Sequence, residues 1–175
     1  MALQLIFCVE TIKSNGSDWI YIQDTIHHFY HLPGSTKLQP VYMNGKGHFK
    51  TPKAENEINR LIKHFNAAAG NKTMVIYCLD CDDYANNIKD KTFLENAEQY
   101  CQDHGYHLVW FCRDIEEVFL GHTVEKHNKK TEAARFRKNS LVNQLNPNSI
   151  SSIQYTPHKT NLFQILDQYL ERSII

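Results

Sequence analysis

Met74-Val75-Ile76-Tyr77-Cys78-Leu79 runs directly into Asp80-Cys81-Asp82-Asp83. An apolar run of this length, closed by a charged cluster, reads as a strand buried on both faces, as in a parallel sheet. Three carboxylates in four residues repel one another where they converge, so water, basic partners or a cation must offset them. In open α/β sheets, ligands bind just outside the carboxyl ends of the strands. The cluster stands at such a place, and a divalent-metal site is the first expectation.

Outward from this run, three further strands are expected at Leu3 to Glu10, Leu38 to Asn44 and Tyr106 to Arg113. Pro40 lacks an N–H and favours an edge or strand-start position for the second of them. Helical patterns fall between the strands. Ser17 or Asp18 can cap a helix carrying Trp19, Ile22, Ile26 and Phe29 on one stripe. Residues 53–69 place Ile58, Leu61, Ile62 and Phe65 at helical spacing, and residues 90–104 do the same with Leu94, Ala97 and Cys101. Alternating strands and helices predict an α/β fold, a mostly parallel sheet of about four strands with helices on both faces. After a short helix near Ile115–Leu120, helices are expected over Glu132–Leu145 and Asn161–Arg172. Residues 146–160 read as a connection, opened by the loop signal Asn146-Pro147-Asn148-Ser149. The whole chain, 1–175, is one domain on this reading: a core to about residue 122 and a helical C-terminal extension from about 123.

Composition narrows the class. Charged residues make up 22% and hydrophobic residues 42%, as in ordinary globular proteins. A formal net charge of zero excludes a uniformly basic DNA-coating protein but not a local basic patch. No apolar stretch approaches the ~18 residues of a membrane span. The opening Met1-Ala2-Leu3-Gln4 lacks the basic flank and apolar core of a secretion signal, so a cytosolic location is expected, with no membrane partner. The cysteines are Cys8, Cys78, Cys81, Cys101 and Cys112, an odd number, three of them inside apolar runs. Buried free thiols account for them better than disulfides. Cys78 and Cys81 form a single C-x-x-C pair without the second pair that a structural zinc site needs.

Glu10 ends the first strand and Asp80 the third, with Asp82 two residues on. On adjacent parallel strands these ends share one rim. Mg²⁺ or Mn²⁺ takes oxygen ligands, and Mg²⁺ keeps several waters, so two or three carboxylates suffice. A metal there can polarise a phosphoryl oxygen and lower the pKa of a bound water, while a glutamate beside it serves as general acid or base. The plainer alternative is that Asp82 or Asp83 only forms a turn or caps the next helix.

These residues resemble the Toprim fold in the compact version of RloB-like proteins, whose marks are a glutamate ending the first strand and a D-x-D ending a later one. Met43-Asn44-Gly45-Lys46-Gly47 resembles the family's glycine-rich turn, and Ile115-Glu116-Glu117-Val118 with His122 its later helix. The stretch after Thr160-Asn161-Leu162 is similar to its C-terminal end. Thr11 stands where the family usually has glycine, and Val118 where it has tryptophan. The resemblance implies Glu10 as general acid/base, Asp80 and Asp82 as metal ligands, Asp83 as an auxiliary ligand, and Glu116 as a supporting or second-metal residue. It also implies a nuclease acting on DNA or RNA, in defence against phage, beside a separate ATPase. The chain itself contains no G-x-x-x-x-G-K-S/T run.

Lys126, Lys129, Lys130, Arg135, Arg137 and Lys138 crowd residues 126–138, where Glu132 is the only acidic residue. Such a stripe can neutralise phosphates, or it can be a solvated helix face. Lys46 and the amides around Gly45 and Gly47 offer a second phosphate contact. His27 and His31 share a helix spacing with His28 beside them, but no H-E-x-x-H pattern accompanies them. Three function classes follow: a Mg²⁺- or Mn²⁺-dependent phosphoryl-transfer enzyme, a non-catalytic module of the same fold that binds nucleic acid or protein, and a flavodoxin- or receiver-like protein phosphorylated on its acidic cluster.

Overall fold

The computed structural model describes residues 2–173. In chain order the elements are β1 (Leu3–Val9), α1 (Ser17–Phe29), β2 (Tyr30–His31), β3 (Thr36–Tyr42), α2 (Pro52–Asn66), β4 (Lys72–Asp80), α3 (Ile88–His104), β5 (His107–Cys112), α4 (Ile115–Leu120), α5 (Lys129–Lys138), α6 (Pro147–Ile150), β6 (Lys159–Thr160), α7 (Leu162–Leu166) and β7 (Glu171–Arg172). Short 3-10 turns occupy Lys46–His48 and Leu141–Gln144. The main sheet has five strands in the order β3-β1-β4-β5-β6. β3, β1, β4 and β5 are parallel, and β6 runs antiparallel to β5. Pro40 lies on the edge strand β3, opposite Phe7, where a missing N–H costs least.

Side chains of the central strands alternate between two apolar layers. Leu5, Phe7, Val9, Ile76 and Cys78 face Tyr21, Ile22 and Ile26 of α1, Phe119 of α4 and Phe136 of α5. Ile6, Cys8, Val75, Tyr77 and Leu79 face Ile58 and Leu61 of α2 and Leu94, Ala97 and Cys101 of α3. Burial on both faces is why β1 and β4 read as continuous apolar runs. All five cysteines are buried free thiols, as the sequence suggests.

The second half departs from expectation in three ways. The helix placed at Glu132–Leu145 begins earlier, at Lys129, and stops at Lys138. Asn139 and Ser140 end it, Ser140 turning left-handed at φ 50°, and the chain continues as the 3-10 turn. The helix placed at Asn161–Arg172 is only Leu162–Leu166, after which the chain turns and β7 pairs antiparallel with β2. That ending is fixed by Arg172, which bonds Asp167 at 2.7 Å and lies 3.7 Å from the centre of the Phe163 ring, and by Tyr30, whose hydroxyl donates to Asp167 at 2.6 Å. Finally, the 146–160 connection contains α6 and ends in β6, the fifth strand. The segment from 123 onward is therefore not an appended helical extension: β6 extends the sheet, and Phe136, Leu162, Phe163 and Leu166 are fully buried in the core.

Among the described residues, no helix is long and apolar enough to cross a membrane.

Candidate functional site

The carboxyl ends of β1 and β4 meet at one rim. Glu10 follows β1, and its Oε1 accepts the backbone N–H of Asp80 at 2.7 Å. Asp80 closes β4, and its Oδ1 accepts the N–H of Ile115 at 3.0 Å, tying the rim to the start of α4. Above Glu10 hangs the glycine turn, where Gly45 donates its N–H to the Glu10 carbonyl at 2.6 Å. Gly45 has φ +109°, which L side chains rarely adopt, so the turn needs glycine there.

A third carboxylate joins this pair. Asp18 is 7% exposed, and its Oδ2 accepts the N–H of Thr11 at 3.1 Å. Neither Ser17 nor Asp18 caps α1. Left-handed Gly16 precedes the helix without a side-chain cap, which leaves both residues in the first turn and turned inward. Sequence reasoning treated Asp18 only as a cap. The available signal was its place: an acidic residue in the first turn of the helix after β1 must lie beside that strand's carboxyl end.

Glu116 lies deeper. It is fully buried, its Oε2 accepts from Lys129 Nζ at 2.8 Å, and its Oε1 has no partner. It does not line the cleft that Glu10, Asp18 and Asp80 share with Thr11, Asn15, Asn44, Lys126 and Lys129, a hollow of about 550 Å³. Asn15 Oδ1 and Thr11 Oγ1, both of that cleft, are also buried without a partner.

The charge balance of this rim is unfavourable. Burial pushes the Glu10 pKa up from 4.5 to about 8; Asp18 and Asp82 push the same way, while the Asp80 N–H and Lys46 oppose them. Burial likewise holds Asp80 well above the usual carboxylate range, reinforced by Glu10, Asp18 and Glu116. Asp18 and Glu116 are raised by burial too, against the pull of Lys129 on each. Burial works against the charge on Lys129, but Glu116, Asp80 and Asp114 outweigh it and raise its pKa. More negative charge converges here than the lysines neutralise, so protons or a cation must make up the difference.

Asp82 and Asp83 do not join Glu10 and Asp80. Asp82 takes a left-handed backbone conformation, φ 47°, and its carboxylate bonds the Lys46 ammonium. Asp83 accepts from Asn86 Nδ2 at 2.9 Å in the turn before α3, in the turn-forming role that its residue type allows. The exposed His122 ring contacts the Thr123 carbonyl. The basic stripe is largely engaged within the molecule. Arg137 grips Asp24 of α1 with two nitrogens and also bonds Gln23. Arg135 pairs with Glu132, and Lys130 donates to the Ser14 carbonyl at 3.0 Å. Lys126, at the cleft, and Lys138 are exposed.

The donors at the rim are carboxylate and amide oxygens, with no thiolate or imidazole among them. That set suits Mg²⁺ or Mn²⁺, and Mg²⁺ is usually held by one or two carboxylates with the rest of its shell left to water and substrate. Among the described residues, no group of three His, Cys, Asp or Glu side chains is assembled to hold an ion unaided. The fit is thus to the Glu10–Asp80 pair with Asp18 beside it, rather than to a full D-x-D. No protein-family model matches the chain, nor does any curated protein or solved structure.

Proposed function

We propose that this rim is a divalent-cation-dependent phosphoryl-transfer site and that the chain is a nuclease of Toprim-like, RloB-like type. One observation carries the reading. Glu10 and Asp80, joined by a hydrogen bond across β1 and β4, put half-buried carboxylates without an ion-pair partner of their own into the lining of a cleft that lysines border. Phosphodiester cleavage needs both features, negative groups for a cation and positive groups for the phosphates. When bound, Mg²⁺ would polarise the phosphoryl oxygen and acidify a water. Asp80 would hold it, with Asp18 beside it. Glu10, ionised once a bound cation lowers its raised pKa, would take a proton from the attacking water. Lys126 and Lys129 would face the phosphate backbone at the cleft. By the same resemblance, the chain would work in phage defence with a separate ATPase.

The experiment is cleavage of labelled DNA and RNA with Mg²⁺ or Mn²⁺. Wild type should cut, Asp80→Ala should lose at least a hundredfold in rate, and chelation should abolish the activity. No cleavage of either polymer by wild type under conditions where it binds Mn²⁺ overturns the reading.

A second reading has its own observation. Lys46 sits on Asp82 and Lys129 on Glu116, so two acidic positions already carry internal cations. A non-catalytic binding module would show this arrangement, and it would bind neither Mg²⁺ nor Mn²⁺ in calorimetry.

A further inference from the structure

Lys46 is held unusually firmly for a rim lysine. It leaves the glycine turn, bonds Asp82 Oδ2 and stands 3.4 Å from Asp90 Oδ1. Its ammonium also lies 4.9 Å from the centre of the Phe93 ring. Asp90 is itself anchored, since its Oδ2 accepts the Asp83 N–H at 3.4 Å. The Lys46 side chain is 26% exposed. Two carboxylates and an aromatic face hold it, Asp82 from the turn after β4 and Asp90 and Phe93 from α3. The charge acts across the site as well, since Lys46 pulls the Glu10 pKa down.

The rim therefore divides into three parts. On one side Lys129 answers Glu116. On the other Lys46 answers Asp82 and Asp90. Between them the half-buried Glu10 and Asp80 and the buried Asp18 have, among the described residues, no cation of their own within bonding distance. Resting on the phosphoryl-transfer reading, we propose that Lys46 is the fixed second cation of the site: it fills, between Asp82 and Asp90, the place another metal ion would take, so that a single divalent ion completes the centre. A preorganised ammonium of this kind stabilises charge developing on a phosphoryl oxygen without having to be recruited. Asp90, which no motif singled out, becomes a positioning residue that aims it.

The test is a count of Mn²⁺ per chain, by calorimetry and by loss of the free-ion resonance signal, on the full chain. Wild type should bind one ion. Lys46→Arg should also bind one, because the charge is kept. Lys46→Met should bind two, the second lost again in Lys46→Met with Asp90→Asn. Lys46→Gln removes the charge but retains a hydrogen bond to Asp82, and gives the same count should the methionine variant not fold. One ion in wild type and still one in both uncharged variants overturns this inference and leaves the phosphoryl-transfer reading standing, as do two ions in wild type. No ion in wild type but one in Lys46→Met keeps Lys46 as the cation and overturns metal dependence. No ion in any variant overturns both.

Discussion

Replacing Lys129 with methionine removes an ammonium while keeping most of its apolar stem. What is left behind decides the outcome. Glu116 is fully buried, and Lys129 is the partner of its Oε2 at 2.8 Å, while Oε1 has none. Breaking a buried pair from one side costs about 3–5 kcal/mol, because the remaining charge is stranded. Protonation sets a ceiling on that loss, since Glu116 can become neutral instead. At ~1.36 kcal/mol per pH unit above the ordinary glutamate pKa, the ceiling is ~4 kcal/mol at pH 7.5 and ~1.4 kcal/mol at pH 5.5. Glu116 is already raised in the wild type, and Lys129 is a quarter exposed, so part of this is spent before the substitution. The expected loss is about 2–3 kcal/mol at pH 7.5 and below about 1 kcal/mol at pH 5.5. The sign follows from linkage. A carboxyl whose folded pKa rises binds more protons folded than unfolded, so the variant loses stability as pH increases. Urea unfolding at both pH values reads the difference directly. Adding Glu116→Gln to the same chain should restore most of the loss at pH 7.5, a non-additive pair. An equal loss at both pH values would assign the effect to packing and refute the argument from charge, as would the failure of Glu116→Gln to restore stability.

Glu10 predicts a related slope in the wild type. Its folded pKa of about 8 lies above its ordinary 4.5, so its contribution is at its best below pH 4.5 and is lost as pH rises through 8. Glu10→Gln, which still accepts the Asp80 N–H, should flatten that slope and stabilise the protein at pH 8.5 by about 1–2 kcal/mol, well under the ~5 kcal/mol that the full difference would allow. Phe136 is fully buried, with its ring 5.0 Å from Tyr21 and 5.9 Å from Phe119, so Phe136→Ala should cost about 3–5 kcal/mol in urea. A loss below 1 kcal/mol would make α5 an appendage after all. For nucleic-acid binding, Lys126→Ala with Lys138→Ala should lower the salt dependence of affinity by about two charges, while Arg137→Ala, already committed to Asp24, should leave it unchanged. Fluorescence anisotropy across a salt series separates these outcomes.

The sheet was legible because its central strands are buried on both faces. Val75 to Leu79 and Leu5 to Val9 have no polar side to blur the pattern. β2, β6 and β7 are two residues each, too short for any periodicity, and are set by partners far along the chain: Thr160 by Phe111, Glu171 by His31. Glu10 and Asp80 could be found because each terminates an apolar strand. Asp18 and Asp90 could not be found that way, since each sits in the first turn of a helix, where an acidic residue is ordinary helix chemistry. The basic stripe misled for a different reason. A run of lysines and arginines reads as one surface, yet Arg137 is claimed by Asp24, 113 residues earlier, and Lys129 by Glu116 in the interior.

The two misjudged sets are linked. Sequence reasoning counted Asp82 and Asp83 as ligands and the lysines as phosphate contacts, as though charges of each sign acted independently. The fold instead pairs them, Lys46 with Asp82 and Asp90, and Lys129 with Glu116. Each pairing takes up a carboxylate that the sequence offered as a metal ligand or supporting residue. What escapes pairing is then the more informative set: Glu10, Asp80 and Asp18, inside one cleft, with pKa values raised by desolvation and, for Glu10 and Asp80, also by neighbouring carboxylates. A cation bound there would lower all three together and release protons as it bound. Proton release on Mn²⁺ addition, seen as calorimetric enthalpies that depend on the buffer at pH 7.5, distinguishes this rim from an exposed acidic patch, whose carboxylates are already ionised and would release none.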